Sequence, residues 1–127
     1  MIFTLNNLGD TLHEASRPDE AQTAFREAEQ LCATIEAPNP CALNAFNYAE
    51  LLVQRGEVEE ALPLIERSEA FYGEEDPDLI YLRAVFALVQ GDEAEGRRML
   101  ARAMAGSDPE RAAGYLAAFE ELRSAAR

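Results

Sequence analysis

One pattern occurs three times along the chain, and it constrains the fold more than any other feature. Each copy has an apolar helical segment, a turn residue, and an acidic start to a second helix. The three copies are residues 11–21, 51–61 and 86–96. Their turn residues, Ser16, Gly56 and Gly91, lie 40 and 35 residues apart. Periods of this size are typical of helical repeat proteins, in which each pair of helices buries its apolar face against the next.

Apolar residues recur at intervals of three or four, which is helical spacing, and strand-type alternation is absent. Glycines and prolines interrupt this pattern at points where they can end one helix or begin the next. Asp108 followed by Pro109 is the clearest start, an N-cap followed by proline at the first helical position. The sequence therefore predicts an all-α protein with seven helices, at roughly 2–15, 18–36, 40–55, 58–72, 77–90, 93–105 and 109–125.

The composition favours one folded domain and a protein partner. A chain of 127 residues with 48% hydrophobic side chains can bury a core despite its net charge of −13. All 11 basic residues are arginine, which excludes a phosphate-binding Walker lysine and Schiff-base chemistry on lysine. A pI near 4.4 disfavours nucleic acid and anionic membrane surfaces, because their phosphates would be repelled. A basic protein segment is the better electrostatic match.

Cysteine content and the N-terminal sequence predict a cytoplasmic location. Cys32 and Cys41 are too few to build a disulfide scaffold, so we expect free thiols, with a bridge between them as the alternative. The N-terminus has no basic region of the kind found in signal peptides. The longest apolar run, Ala84 to Val89, is six residues and far too short to span a membrane.

The single histidine and the two cysteines do not predict an active site. In an antiparallel helix pair, His13 and Cys32 would be offset by about nine residues, or roughly 13 Å. That distance exceeds the contact of about 3 Å that a nucleophile and its base require. No spacing resembles a zinc site. We therefore expect no enzyme activity, no metal and no cofactor.

The repeated segments resemble the tetratricopeptide repeat family. The resemblance rests on Leu8-Gly9, Leu12, Glu20-Ala21, Phe25 and Ala28, on Gln54-x-Gly56-x-x-x-Glu60-Ala61, and on Gln90-Gly91-Asp92. It implies a right-handed α-solenoid of three helix-turn-helix repeats in a single domain spanning 1–127. The repeats would cover about 2–36, 40–73 and 77–108, followed by a capping helix at 109–125.

The first repeat is similar to the longer variant of this family that kinesin light chains contain. This narrower resemblance rests on residues 4–9, on the long predicted second helix, and on Asn39-Pro40 at the start of the second repeat.

Members of the family bind extended peptides in a groove lined by the first helix of each repeat. Carried over to this chain, the groove is predicted to include Asn6, Asn7, Asp10, Glu14, Phe46, Asn47, Glu50, Asp78 and Tyr81. Its other positions are His13, Leu43, Gln54, Leu82 and Val85. An asparagine amide can both donate to and accept from a peptide backbone, although simple solvation of these amides is the alternative. Two carboxylates stand where chaperone-type members hold a C-terminal carboxylate, so that function is rejected.

We expect a non-enzymatic scaffold whose acidic groove binds an extended, basic peptide or partner segment. Arginine or lysine in the partner would meet the groove carboxylates, with Phe46 and Tyr81 available for cation–π contacts. The first alternative is an oligomerisation or regulatory segment of a larger protein, with a homodimer formed through the uncapped first helix at Ile2 and Phe3. The second is a secretion chaperone, which the family also includes.

Overall fold

Prolines and glycines set the helix boundaries closely. The computed structural model describes residues 1–125, and within them the chain forms seven α-helices and no strand. The helices are α1 (Ile2–Glu14), α2 (Pro18–Cys32), α3 (Pro38–Gln54), α4 (Val58–Tyr72), α5 (Pro77–Val89), α6 (Glu93–Ala105) and α7 (Pro109–Ala125). The prediction of an all-α fold with seven helices is confirmed.

The largest difference from the predicted boundaries is at the connection between α2 and α3. Helix α2 ends at Cys32, four residues earlier than predicted, and α3 begins at Pro38, two residues earlier. The turn that ends α2 is tighter than an α-helical turn, because the Thr34 N–H donates to the Leu31 carbonyl, three residues back. Ala37 has φ −141°, because a residue before proline is disfavoured in the helical region. Helix α2 has 15 residues and is no longer than α4, so the prediction of a long second helix in the first repeat is wrong.

The repeat turns have the same backbone structure in all three copies. Ser16, Gly56 and Gly91 each have a positive φ, at 59°, 79° and 91°. In each turn the N–H of the next residue donates to the carbonyl five residues back, at 2.9, 2.8 and 2.9 Å. This is the bond that closes a helix C-terminus in the Schellman motif. The alignment of the three segments is therefore confirmed by their hydrogen bonding.

Each turn joins two helices that pack on each other, giving the pairs α1–α2, α3–α4 and α5–α6. The chain forms two compact units. Unit 1, Met1–Tyr72, contains α1 to α4, and unit 2, Gly73–Arg127, contains α5 to α7. The assignment of the whole chain to one domain stays a prediction.

Small residues lie where the helices of unit 1 touch. Ala21 and Ala61 are fully buried. At Gly9, a Cβ atom would lie only 2.6 Å from Cε1 of Phe25, so the phenyl ring packs directly on the backbone of α1. Phe25 is itself fully buried and stacks on Tyr48, with ring centroids 5.8 Å apart. This packing holds α1, α2 and α3 together and positions the faces described below.

The core of unit 2 is built around two aromatic side chains of α7. Tyr115 and Phe119 are buried in one cluster with Ile80, Ala84, Leu100 and Ala103. Leu116, the residue after Tyr115, is 41% exposed. Asp76, Asp92 and Asp108 cap the N-termini of α5, α6 and α7, and their carboxylates accept first-turn N–H groups. The predicted start at Asp108 and Pro109 is confirmed.

Candidate peptide-binding surface on α1 and α3

Two side-chain hydrogen bonds link α1 to α3 and define how the two helices lie. Asn47 Nδ2 donates to Asn6 Oδ1 at 3.1 Å. His13 Nε2 is 2.9 Å from Gln54 Oε1, and it is the donor because that oxygen can only accept. Both bonds join residues 41 positions apart, and they lie seven residues, or two turns, apart on each helix. The two helices therefore run parallel to each other and side by side.

Asn6 does not line an open surface. It is only 2% exposed, and its side-chain oxygen accepts the bond from Asn47. The predicted position of Asn6 in an open groove is therefore corrected, because its side chain is buried between α1 and α3. Asn47 is half-buried, and the bond uses one of its two N–H groups.

The remaining predicted residues of unit 1 reach solvent to different degrees. Asn7 and Glu14 are exposed, whereas Asp10, Phe46, Asn47 and Glu50 are half-buried. Asn7, Asp10 and Glu14 follow the i, i+3, i+7 spacing of one helix face. Asn47 and Glu50 lie three residues apart on α3, beside the bond to Asn6. We call these six residues together the α1–α3 surface.

The α1–α3 surface carries three carboxylates. Helices α1 and α3 contain Asp10, Glu14 and Glu50 but no Arg or Lys. The four arginines of unit 1 are Arg17, Arg26, Arg55 and Arg67. Arg17 pairs with Glu20, Arg55 with Asp19 and Arg67 with Glu29, so none of these three ion pairs involves the carboxylates of α1 and α3.

Two of the four predicted groove residues of unit 2, Asp78 and Tyr81, contact α7. The Tyr115 hydroxyl donates to the Asp78 carboxylate, and the Tyr81 ring stacks on the Tyr115 ring with centroids 4.7 Å apart. Burial, and then the bond to Asp78, raise the pKa of Tyr115 above its ordinary value. Leu82 and Val85, also predicted to line the groove, are buried. On α5, these positions serve packing within unit 2.

Cys32 and Cys41 form a disulfide, so the expectation of free thiols is wrong. Their Cα atoms are 5.8 Å apart. The short connection between α2 and α3 reverses the chain and brings the last residue of α2 beside the first turn of α3. The nine-residue separation across a helix-turn-helix connection was the sequence signal for this bond. With its sulfur in the disulfide, Cys32 has no thiol to act as a nucleophile.

Within residues 1–125 we find no cluster of three or more His, Cys, Asp or Glu side chains that could hold a metal ion. Across the same residues, no helix combines the length and the apolar character needed to cross a membrane.

Comparison with known proteins identifies one segment. A family model of the tetratricopeptide repeat matches residues 45–67, from the middle of α3 through the turn at Gly56 into α4. None of the curated proteins compared with the chain matches it. The resemblance of the first repeat to the kinesin-light-chain variant stays a prediction. The matched hairpin is similar to the tetratricopeptide repeat, which is a protein–protein interaction module, and two further hairpins close with the same turn.

Proposed function

We propose that the chain is a non-enzymatic scaffold that binds an extended, basic segment of a partner protein on the α1–α3 surface. The observation that carries the proposal is the set of three carboxylates on α1 and α3, two helices without Arg or Lys. Charge of one sign on such a surface attracts a partner segment of the opposite sign and rejects phosphate-bearing partners.

Two further side chains give the surface a way to hold a peptide as well as attract it. Asn47 is oriented by its bond to Asn6, and its amide has a second N–H and an oxygen that can pair with a peptide backbone. Phe46, one turn before Glu50 on α3, is half-buried and offers part of its ring to an arginine or lysine of the partner. The partner would be held by its main chain and by its positive charge together.

The surface is preorganised, which lowers the entropy cost of binding on this side. The hydrogen bonds that Asn47 donates to Asn6 and His13 donates to Gln54 join α1 to α3, and the disulfide joins α2 to α3. A flexible partner segment can then bind with a modest contact area, because the scaffold itself does not have to become ordered.

Fluorescence anisotropy with labelled peptides tests the proposal without knowing the natural partner. The probes are an extended arginine-rich nonapeptide and the same peptide with glutamate in place of arginine. We expect the first to bind and the second not to bind. Glu50→Arg should weaken binding several-fold and flatten its salt dependence, because charges near a surface act over a Debye length of about 8–10 Å.

The matched control is Glu66→Arg, an equal charge reversal at an exposed site on α4 of the same unit. It should leave the affinity nearly unchanged. Equal weakening by both reversals would mean that only the net charge matters, and the assignment to α1 and α3 would fail.

Asn47→Ala tests the backbone contact separately from the charge. It should weaken binding by roughly 0.5–1.5 kcal/mol and leave the salt slope unchanged. Because this variant also removes the partner of the buried Asn6, its free energy of unfolding is measured in parallel. If a folded Asn47→Ala chain bound the peptide with wild-type affinity, the Asn47 amide would have no part in binding.

A second function, self-association through α1, is favoured by one observation. Phe3 is 53% exposed and Leu8 is 49% exposed on this helix. Ile2, which the sequence had placed in the same contact, is only 6% exposed and belongs to the core. Light scattering on wild type and on the double variant Phe3→Glu, Leu8→Glu tests this role. A concentration-dependent dimer that the double variant abolishes would support it, and a wild-type monomer at high concentration would exclude it.

A further inference from the structure

The disulfide lies where a small thiol can reach it. Cys32 and Cys41 are both partly exposed, and they border an open surface depression in unit 1. The connecting residues Ile35, Glu36, Ala37 and Pro38 line the rest of the depression. Thiol–disulfide exchange requires such access, because the attacking thiolate must approach one sulfur directly.

The two sulfurs lie at helix ends of opposite partial charge. Cys41 is the fourth residue of α3, in its first turn, where a negative charge is stabilised. Cys32 is the last residue of α2, at the negative end of that helix. A thiolate is therefore favoured on Cys41 and disfavoured on Cys32.

A carboxylate near the pair also favours the thiolate on Cys41 over the thiolate on Cys32. Glu36 lines the depression, and Glu29 precedes Cys32 by one turn of α2. Glu29 is paired with Arg67 from α4 and accepts a bond from Asn44 of α3, so its charge is partly compensated. Glu29 lies one turn from Cys32 on the same helix and opposes a negative charge on that sulfur.

We propose that this disulfide is a thiol-exchange site for low-molecular-weight thiols, with Cys32 the sulfur attacked and Cys41 the leaving group. The thiolate of the reductant attacks Cys32 Sγ and forms a mixed disulfide. The bond between Cys32 and Cys41 breaks, and its electron pair leaves on Cys41 Sγ as a thiolate. A second reductant thiolate then attacks the reductant sulfur of the mixed disulfide and releases Cys32, which takes a proton from water. Two reductant thiols are oxidised to one disulfide, and the protein disulfide is reduced.

This chemistry reconciles the disulfide with the predicted cytoplasmic location. Disulfides in the cytoplasm are usually transient or redox-sensing, because thiol reductants are abundant there. Exchange at this site would release the end of α2 from the start of α3. The proposal does not depend on what binds to the α1–α3 surface.

Mapping the glutathione adduct on the full, oxidised chain tests which sulfur is attacked. After brief exposure to glutathione, N-ethylmaleimide and acid trap the intermediate. A glutamate-specific protease cuts after Glu29, Glu36 and Glu50, and so separates Cys32 in residues 30–36 from Cys41 in residues 37–50. We expect glutathione on the first peptide at least about threefold more often than on the second, which should carry the maleimide.

Equal labelling of the two peptides, or a preference for 37–50, would overturn the proposal. It would equally be overturned if the purified chain held no disulfide, or if glutathione formed no adduct.

Single-cysteine variants provide a second measurement. In Cys32→Ser the remaining Cys41 should react with iodoacetamide at pH 7 about two- to fivefold faster than Cys32 does in Cys41→Ser. In concentrated urea the two rates should converge, because the helix ends no longer exist. Circular dichroism checks that both variants keep their helices, and the glutathione map uses the wild-type chain and does not depend on them. A faster reaction at Cys32 in the folded state contradicts the proposed order of the two sulfurs.

Discussion

Gly9 shows how a single residue can reverse the usual effect of a substitution. Replacing glycine by alanine inside a helix normally stabilises a protein by roughly 0.5–1 kcal/mol. Here the added Cβ would meet the Phe25 ring at 2.6 Å. Gly9→Ala should therefore destabilise unit 1 by about 1–3 kcal/mol through overpacking, measured by urea denaturation.

Gly114 in α7 is the matched control, since a Cβ there would meet no atom within 4 Å. Gly114→Ala should raise the free energy of unfolding. If both substitutions stabilised the chain equally, the contact between Gly9 and Phe25 would be wrong.

Ser16 carries a local strain that the other two repeat turns avoid. It has φ 59°, a conformation that glycine adopts at Gly56 and Gly91 without a steric cost. Because Ser16 is exposed, Ser16→Gly should stabilise the chain by about 0.5–1 kcal/mol, and thermal and urea denaturation would both show it. Gly91→Ser should have the opposite effect. A loss of stability in Ser16→Gly would contradict the turn geometry.

At the level of elements, α7 is joined to α5 by the hydroxyl of Tyr115. The folded state keeps this phenol neutral, because burial and the bond to Asp78 raise the pKa of Tyr115 above the ordinary value of about 10. An unfolded tyrosine ionises near pH 10. The stabilisation is therefore complete below about pH 10 and declines as the pH rises further.

Tyr115→Phe tests this contribution. The variant should lose about 1–2 kcal/mol at pH 7, because the hydrogen bond to a carboxylate is gone while the ring still packs. Its stability should also fall less steeply than that of wild type between pH 10 and pH 11. Urea denaturation at pH 7, 9, 10 and 11 gives both profiles, and parallel profiles would show that the hydroxyl does not contribute.

For the whole molecule, the net charge of −13 sets how stability responds to salt. Surface ion pairs of the kind that Arg17 and Glu20 form contribute little each, so repulsion among the excess carboxylates outweighs them. Raising NaCl from 20 to 300 mM should therefore stabilise the chain by about 1 kcal/mol, or about 3–5 °C in melting temperature.

The same experiment near pH 4.4, the pI, serves as the control. There the net charge is close to zero, and salt should have little effect. A melting temperature that falls with salt at pH 7 would mean that the ion pairs dominate.

Local features of the fold could be read from the sequence because they depend on residues within one or two turns. Proline before a helix, glycine after one, and aspartate at an N-cap act on the adjacent backbone. The register of the turns at Ser16, Gly56 and Gly91 was therefore predictable, and so was the start of α7 at Asp108. The end of α2 was missed because apolar spacing continues through residues 33–36, while Ala37 is pulled out of the helical region by the proline that follows it.

Side-chain exposure depends on how each packed helix is rotated about its axis and on how close its neighbours lie. Only the tertiary structure decided this. Asn6 and Asn7 are adjacent in sequence, yet one is buried against α3 and the other is exposed. Tyr115 bonds to Asp78 across 37 residues, which no local pattern encodes. The pairing of Cys32 with Cys41 likewise required the connection to bring two helix ends together. Apart from the connection between α2 and α3, the sequence by itself determined where the helices begin and end, because those forces are local. Packing between helices determined which face of each helix remains open to a partner.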